Sequence, residues 1–258
     1  MSDMKMKVLY GLALIILMMA LGISESKAQS SVKDSVISMF TIDMSLAYHS
    51  PAGDLANRFG DNAALGGGFH YKTDRNWEIG IDVAYIYGTR VNDPVTALTT
   101  TIEGFHIDQN GNFVNLLFLE RGFTAVGNIG KVIPLLGPNP NSGLIIRAGL
   151  GLFQHRIRLE TRRNDVPQLE GAYMKGYDRL TNGLTLHQFI GYKFMGNNRL
   201  INFTLGFEGY QGFTQSRRDF DFDTMKKDDQ KRLDMLYGLK LIWSFPIYRK
   251  ASTGYYIN

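Results

Sequence analysis

Residues 233–245 constrain the fold more than any other part of the chain. The odd positions are Leu233, Met235, Tyr237, Leu239, Leu241, Trp243 and Phe245, while the even ones include Asp234, Gly238, Lys240 and Ser244. Successive side chains of a β-strand point to opposite sides of a sheet, so alternation of this length makes a strand with two unlike faces. An unbroken apolar row ending in Trp and Phe suits a face turned to lipid. A tilted strand of about ten residues spans a bilayer, with aromatic side chains at its ends.

Seven other segments repeat the pattern. Residues 37–48 place Phe40, Ile42, Met44, Leu46 and Tyr48 on one face and Thr41, Asp43 and Ser45 on the other. Residues 63–72 set Leu65, Phe69 and Tyr71 against Ala64, Gly66, Gly68 and His70. A third strand runs from Trp77 through Ile79, Ile81, Val83, Tyr85 and Tyr87, opposite Glu78, Gly80, Asp82 and Ala84. The fourth, near 119–131, has a thin apolar face of Phe123, Ala125 and Ile129. The fifth begins near Gly143, with Leu144, Ile146, Ala148, Leu150 and Leu152 against Arg147, Gly149 and Gly151. In 183–194, Leu184, Leu186, Ile190, Tyr192 and Phe194 oppose Thr185, His187, Gly191 and Lys193. In 199–210, Ile201, Phe203, Leu205 and Phe207 oppose Asn202, Thr204, Gly206 and Glu208.

The connections alternate in length. Short or Pro-rich turns join strands two to three, four to five and six to seven, and longer loops (about 49–62, 89–117, 161–182 and 213–232) join the rest. Outer-membrane barrels have short periplasmic turns and long extracellular loops. The fold class expected is therefore all-β: a transmembrane, antiparallel, up-and-down barrel of about eight strands with both termini periplasmic. The aromatics agree with one register. Tyr71, Trp77, Tyr192, Phe194, Trp243 and Phe245 fall at the short-turn ends and Tyr48, Tyr85 and Tyr87 at the other, all outward, whereas Tyr210 points inward by parity. A soluble sandwich or lipocalin-like barrel would need apolar rows inside, and the alternate row is too small and polar for a dry core.

The N-terminus fits this address. Lys5 and Lys7 precede an apolar run from Val8 to Leu21, and Ser26-Lys27-Ala28 supplies small residues for cleavage, the layout of a secretory signal peptide over 1–28. Its removal takes away three cations and two acids, so the formal charge of +4 becomes +3. Residues 29–258 are then a single barrel domain with a short periplasmic tail. No basic block has the length or aromatic interleaving of a nucleic-acid surface. The absence of cysteine excludes both disulfides and a Cys-linked lipid anchor.

An eight-strand barrel is just wide enough for its own side chains to fill. The inward set combines Asp43, Glu78, Asp82 and Glu208 with Arg147, Lys193 and Lys240, a candidate interior polar network. Opposite charges buried together offset each other's desolvation. Read as structure this is a plug; read as function it is a narrow gate. Among the histidines, His49 and His155 fall near the outer rim, the first beside Ser50 and Asp54 and the second before Glu160, but no spacing reproduces a hydrolase set. No Walker-type loop, H-E-x-x-H or CxxC occurs. Asp219, Asp221 and Asp223 begin like a calcium loop, yet Thr224 stands where Gly is needed and Gln230 where Glu is needed. The stretch reads instead as strands seven and eight extended above the membrane, with Asp on one face and Phe on the other. The chain therefore reads as a non-enzyme without a cofactor. Asn110-Gly111 predicts a tight turn in a small hairpin of the second loop. Pro134, Pro138 and Pro140 stiffen the 133–142 turn, a rigid connection or a docking surface.

Several stretches resemble small outer-membrane barrel proteins of Bacteroidota: Gln29 after the signal peptide, Ser50-Pro51-Ala52-Gly53-Asp54-Leu55, the 137–143 turn and Gly176-Tyr177-Asp178-Arg179-Leu180-Thr181-Asn182-Gly183. The PorG- and PorT-like barrels of the type IX secretion and gliding apparatus are the nearest named type. The resemblance implies a structural or accessory subunit, with outer-membrane lipid, lipopolysaccharide and envelope proteins as partners. A narrow transport barrel and a lipid A- or peptide-modifying enzyme are the alternatives.

Overall fold

The computed structural model describes residues 35–93, 106–108, 110–161, 173–197 and 201–247, together with Val166, Leu169 and Gly171. The proposed signal peptide and the end of the tail lie outside these residues. Eight long strands form a closed ring in the order β1-β10-β9-β8-β7-β6-β3-β2. They are β1 (Met39–Gly53), β2 (Asn62–Lys72), β3 (Trp77–Gly88), β6 (Leu116–Pro134), β7 (Gly143–Thr161), β8 (Thr181–Met195), β9 (Asn202–Ser216) and β10 (Lys231–Ile247). Two short strands, β4 (His106–Ile107) and β5 (Phe113–Val114), pair with each other in the second loop. A five-residue helix, α1 (Asp54–Arg58), follows β1.

All eight ring pairings are antiparallel, and β1 closes on β10 from Phe40↔Ile247 to Gly53↔Asp234. Closure leaves no unpaired edge, which matters because an open edge exposes a row of backbone donors and acceptors. The outward rows are apolar and bare: Leu46, Leu205 and Phe207 are 57%, 57% and 65% exposed. The inward rows carry Asp43, Glu78, Arg147, Lys193, Glu208 and Lys240, all buried. Apolar rows outside and charged rows inside reverse the arrangement of a water-soluble barrel.

The strands run further at the long-loop end than the alternation indicated. β6 and β7 reach 19 residues each because they pair beyond the apolar belt, up to Leu116↔Thr161. There the outward residues turn charged, as at Arg156 and Arg158, so hydropathy no longer marks a strand that hydrogen bonding sustains. The helix α1 was hidden because it contributes a single turn. The second-loop hairpin exists, but Ile107 pairs with Phe113 and leaves five residues between them. Its turn is organised by Asp108, whose Oδ1 accepts from the backbone N–H groups of Asn110 and Asn112, with Gly111 at φ 79°.

Inside the ring, large polar side chains face glycine across the strand pairs. Arg147 pairs with Gly130, His70 with Gly80, Asp82 with Gly68, His155 with Gly122 and His49 with Gly238. A Cβ on Gly130 would lie 2.5 Å from Arg147 Cγ, and one on Gly80 2.3 Å from His70 Cδ2. The missing side chains are the space in which the charged ones lie. Gly127, on the same strand but facing outward, has its nearest neighbour at 3.9 Å. Gly130→Val is therefore expected to lower unfolding stability by about 1–3 kcal/mol, as overpacking does, while Gly127→Val changes it little. Urea titration in detergent, followed by tryptophan fluorescence, reads both; equal losses would show that interior space is not what these glycines supply.

Candidate functional site

At the tight-turn end, three strands bring one carboxylate to two cations. Arg147 Nη2 on β7 donates to Glu78 Oε2 on β3 at 2.8 Å, and Lys193 Nζ on β8 donates to Glu78 Oε1. The Arg147 guanidinium also lies 5.7 Å from the centre of the Phe189 ring. Below this triad the barrel is corked by the 135–142 turn. Asn141 Oδ1 accepts from Lys72 Nζ at 2.9 Å and from the Ile37 backbone N–H at 3.0 Å, and Asn139 Nδ2 donates to the Met195 carbonyl at 2.7 Å. Asn139, Asn141 and Ser142 are buried with Met39 and Met195. Asn76 Nδ2 also donates to the Pro140 carbonyl at 3.0 Å, so hydrogen bonds tie the turn beneath the barrel and its asparagines serve the interior.

Above the triad runs a continuous polar file. His70 lies 3.0 Å from Asp43 and 3.5 Å from Asp82. Asn128 Nδ2 donates to Asp82 at 2.7 Å, and Asn128 Oδ1 is 2.7 Å from His187 Nδ1. His187 Nε2 and His49 Nε2 approach Glu208 from either side, at 3.2 and 2.8 Å. Lys240 Nζ and the Tyr210 hydroxyl both donate to Glu208 Oε2 at 3.1 Å. Asn62 continues the file from His49 Nδ1 at 3.2 Å to Glu120 Oε2 at 3.0 Å. A carboxylate accepting this many donors is held in one rotamer, and its neighbours with it.

The long-loop end is closed by α1. Leu55 and Phe59 are fully buried in a cluster with Ile86, Phe153, Ile157 and Leu236. Beside them His155 Nε2 is 2.8 Å from Asp234 Oδ2, which also accepts from the Thr214 hydroxyl. Arg58, at the end of α1, donates to Thr181 Oγ1 and to the Arg179 carbonyl, each at 3.1 Å. Burial, with Arg232 nearby, pushes its guanidinium down to about 10. Outside this cork, Arg179 is gripped by three carboxylates, Asp93 at 2.5 Å, Asp223 at 2.5 Å and Asp221 at 3.3 Å.

The seven polar residues singled out from alternation thus fall into two groups. Glu78, Arg147 and Lys193 form the triad, while Asp43, Asp82, Glu208 and Lys240 belong to the file, joined through His70, Asn128 and His187. His49 and His155 do lie toward the long-loop end, His155 against the Phe59 ring of the cork, but both are buried inside the barrel. One expectation needs correction. Residues 219–223 do not continue a strand: β9 ends at Ser216 and β10 begins at Lys231, and between them Asp221 and Asp223 take the Arg179 guanidinium, a residue 42 positions from Asp221 that no local motif could supply. Among the described residues no cluster of three or more His, Asp or Glu is placed to hold a metal. Lys72, Arg58, Asn128 and Glu120 were missed, and Asp234, though set on the inward row, was left out of the polar network; parity turns all of these but Arg58 inward.

Outside, Trp77, Tyr192, Phe194, Trp243 and Phe245 are exposed toward the tight turns and Tyr48, Tyr85 and Tyr87 toward the loops, with Tyr71 half-buried. Lys131 Nζ stands 5.0 Å from the Trp77 ring and Arg121 5.6 Å from the Tyr87 ring.

No protein-family model and no curated protein matches the chain. Solved structures do match. Neisserial surface protein A (NspA) is 8% identical, with a TM-score of 0.42, covering 80% of this chain and 96% of its own. Ail, the attachment invasion locus protein of Yersinia pestis, is 9% identical with a TM-score of 0.42, covering 81% of this chain and 100% of its own. Ail in complex with the heparin analogue sucrose octasulfate is 10% identical with a TM-score of 0.40, covering 81% and 99%.

The triad generates a direct test. Glu78→Gln leaves two buried cations facing a neutral amide, so it is expected to cost about 3–5 kcal/mol of unfolding free energy. Glu160→Gln breaks only the half-exposed pair with Arg158 and should cost at most about 1 kcal/mol. Urea midpoints of the two variants measure the difference, and similar values would deny the triad its structural weight.

Proposed function

We propose that this chain is an integral outer-membrane barrel, a non-enzymatic structural or accessory subunit of an envelope assembly. The observation that carries the reading is the closed ring with bare apolar rows outside and charges within. Such a surface demands an apolar surrounding, because exposed apolar patches of this extent are foreign to soluble monomers. In the outer membrane, short turns lie on the periplasmic side and long loops outside, which puts both chain termini in the periplasm. Export by the 1–28 signal peptide belongs to the same reading.

Both ends of the ring are corked, one by Asn139, Asn141 and Met195 and the other by Leu55 and Phe59. That favours an anchor over a pipe. It also weighs against catalysis: His49, His70, His155 and His187 are all buried within the barrel, each beside a carboxylate. The resemblance to PorG- and PorT-like barrels directs the search for partners toward secretion and gliding machinery. Affinity purification from native outer membranes is expected to recover periplasmic or outer-membrane proteins in fixed ratio. A lone barrel, with altered lipid A in the deletion strain, would favour the enzyme instead.

Two further outcomes are expected. Leu205→Arg places a cation on the bare outer row and should reduce folding into liposomes by about 2–4 kcal/mol at mid-depth, read as loss of the heat-modifiable band on gels. Protein that stays soluble without detergent would overturn the membrane reading. The polar file from Asp43 to Glu120 is the observation that favours the second reading, a narrow gated conduit. In planar bilayers both the native chain and Arg147→Ala are expected to be silent; discrete conductance in either would move the assignment to transport.

A further inference from the structure

Above the α1 cork lies an open cavity of about 600 Å³. Every residue lining it is charged or carries an amide or hydroxyl, which excludes an apolar ligand. Six acids and six bases line it, but they are unevenly paired. Arg179 alone takes Asp93, Asp221 and Asp223; Arg232 takes Asp228, and Lys227 takes Asp229. Asp54 accepts the backbone N–H of Leu233 at 2.8 Å. This leaves Arg58, Lys226 and Lys231 without a carboxylate partner among the described residues.

Arg58 is the telling member. It is only 8% exposed, and its two hydrogen bonds go to the neutral oxygens of Thr181 and Arg179. Its guanidinium lies 5.6 Å from the centre of the Phe59 ring, and Asp228 and Asp234 act on it through space without an ion-pair contact. A guanidinium has five N–H donors, so two hydrogen bonds to neutral oxygens leave donors for an anion that enters the cavity. We propose that this cavity binds a saccharide carrying oxyanions, with Arg58, Lys226 and Lys231 taking the phosphate or sulphate oxygens. Carboxylates and amides such as Asp54 and Asn57 on the same wall accept the sugar hydroxyls. The volume suits a ligand of one or two sugar rings, since small-molecule sites run from about 300 to 1,000 Å³. A divalent cation is a poorer fit, because it would have to displace Arg179 from the three carboxylates that surround it.

The test uses the full chain, purified in detergent and titrated calorimetrically with a sulphated disaccharide and with uncharged maltose. Binding of the sulphated sugar alone, weakening as salt rises, is expected. Lys226→Gln with Lys231→Gln, and separately Arg58→Gln, should each weaken it at least about tenfold, the usual loss for charge-assisted hydrogen bonds. The two lysines are on the surface, so the double variant tests the site even if Arg58→Gln misfolds. A second arm repeats the titration in nanodiscs with and without bis-phosphorylated lipid A. Competition would identify a membrane lipid headgroup as the source of the oxyanions, and undiminished binding a soluble glycan; either supports the site. Equal binding of maltose, unchanged affinity in the lysine variant, or no binding at millimolar sugar would overturn it. Heat-modifiable migration, which reports insertion, stays the same in every case, so failure of the site is distinguishable from failure of the membrane reading.

Discussion

The rest of the structure depends on the ladder between β1 and β10. Without it, both strands present unpaired backbone donors and acceptors along their whole length, and an apolar surrounding offers no water to satisfy them. With it, every strand has two neighbours and the sheet has an inside. The pairing from Phe40↔Ile247 to Gly53↔Asp234 joins the two ends of the described chain, so closure waits on the last strand. It also sets parity: Met44 opposite Trp243 puts both outward, and Ala47 opposite Lys240 puts both inward. One register error would exchange the faces of a whole strand.

Closing the ring creates a second problem, which the glycines solve. Eight strands enclose little volume, yet the interior holds Arg147, Lys193, Lys240, four histidines and their carboxylates. Charged groups away from water must be paired, and pairing needs room for the side chains to meet. Gly68, Gly80, Gly122, Gly130 and Gly238 give up that room directly across from the large residues. Composition and electrostatics are thus one arrangement. The glycine supplies the space and the ion pair fills it.

The barrel was legible in the sequence because its driving pattern is local. Alternation in 233–245, 77–88 and 143–152 is strong enough to assign faces residue by residue, and the tight turn at Thr73–Asn76 fixes one hairpin. What could not be read was non-local. Nothing near Glu78 announces that Arg147 and Lys193 will reach it from two other strands. The level of His49 and His155 along the barrel was readable, but not their burial against Glu208 and Asp234, which arrive from other strands. The Asp221-Phe222-Asp223 stretch alternates like a strand, but it lies outside both neighbouring strands because Arg179 arrives from another segment to hold its carboxylates. In the candidate cavity, Arg58 sits on a single helical turn whose only hint was Leu55 and Phe59 four residues apart.

The two corks have a consequence for how such a protein diverges. The apolar cluster of Leu55, Phe59, Phe153 and Leu236 separates the loop residues from the ion pairs below, and the Asn139–Asn141 turn does the same at the opposite end. A loop can then change length, charge or ligand without disturbing the interior electrostatics, and the interior can be conserved without dictating the loops. Descendants of one such scaffold would drift fastest above Leu55 and slowest around Glu78 and Glu208. Two proteins with interchangeable barrels would then have little in common at the surface that meets the outside.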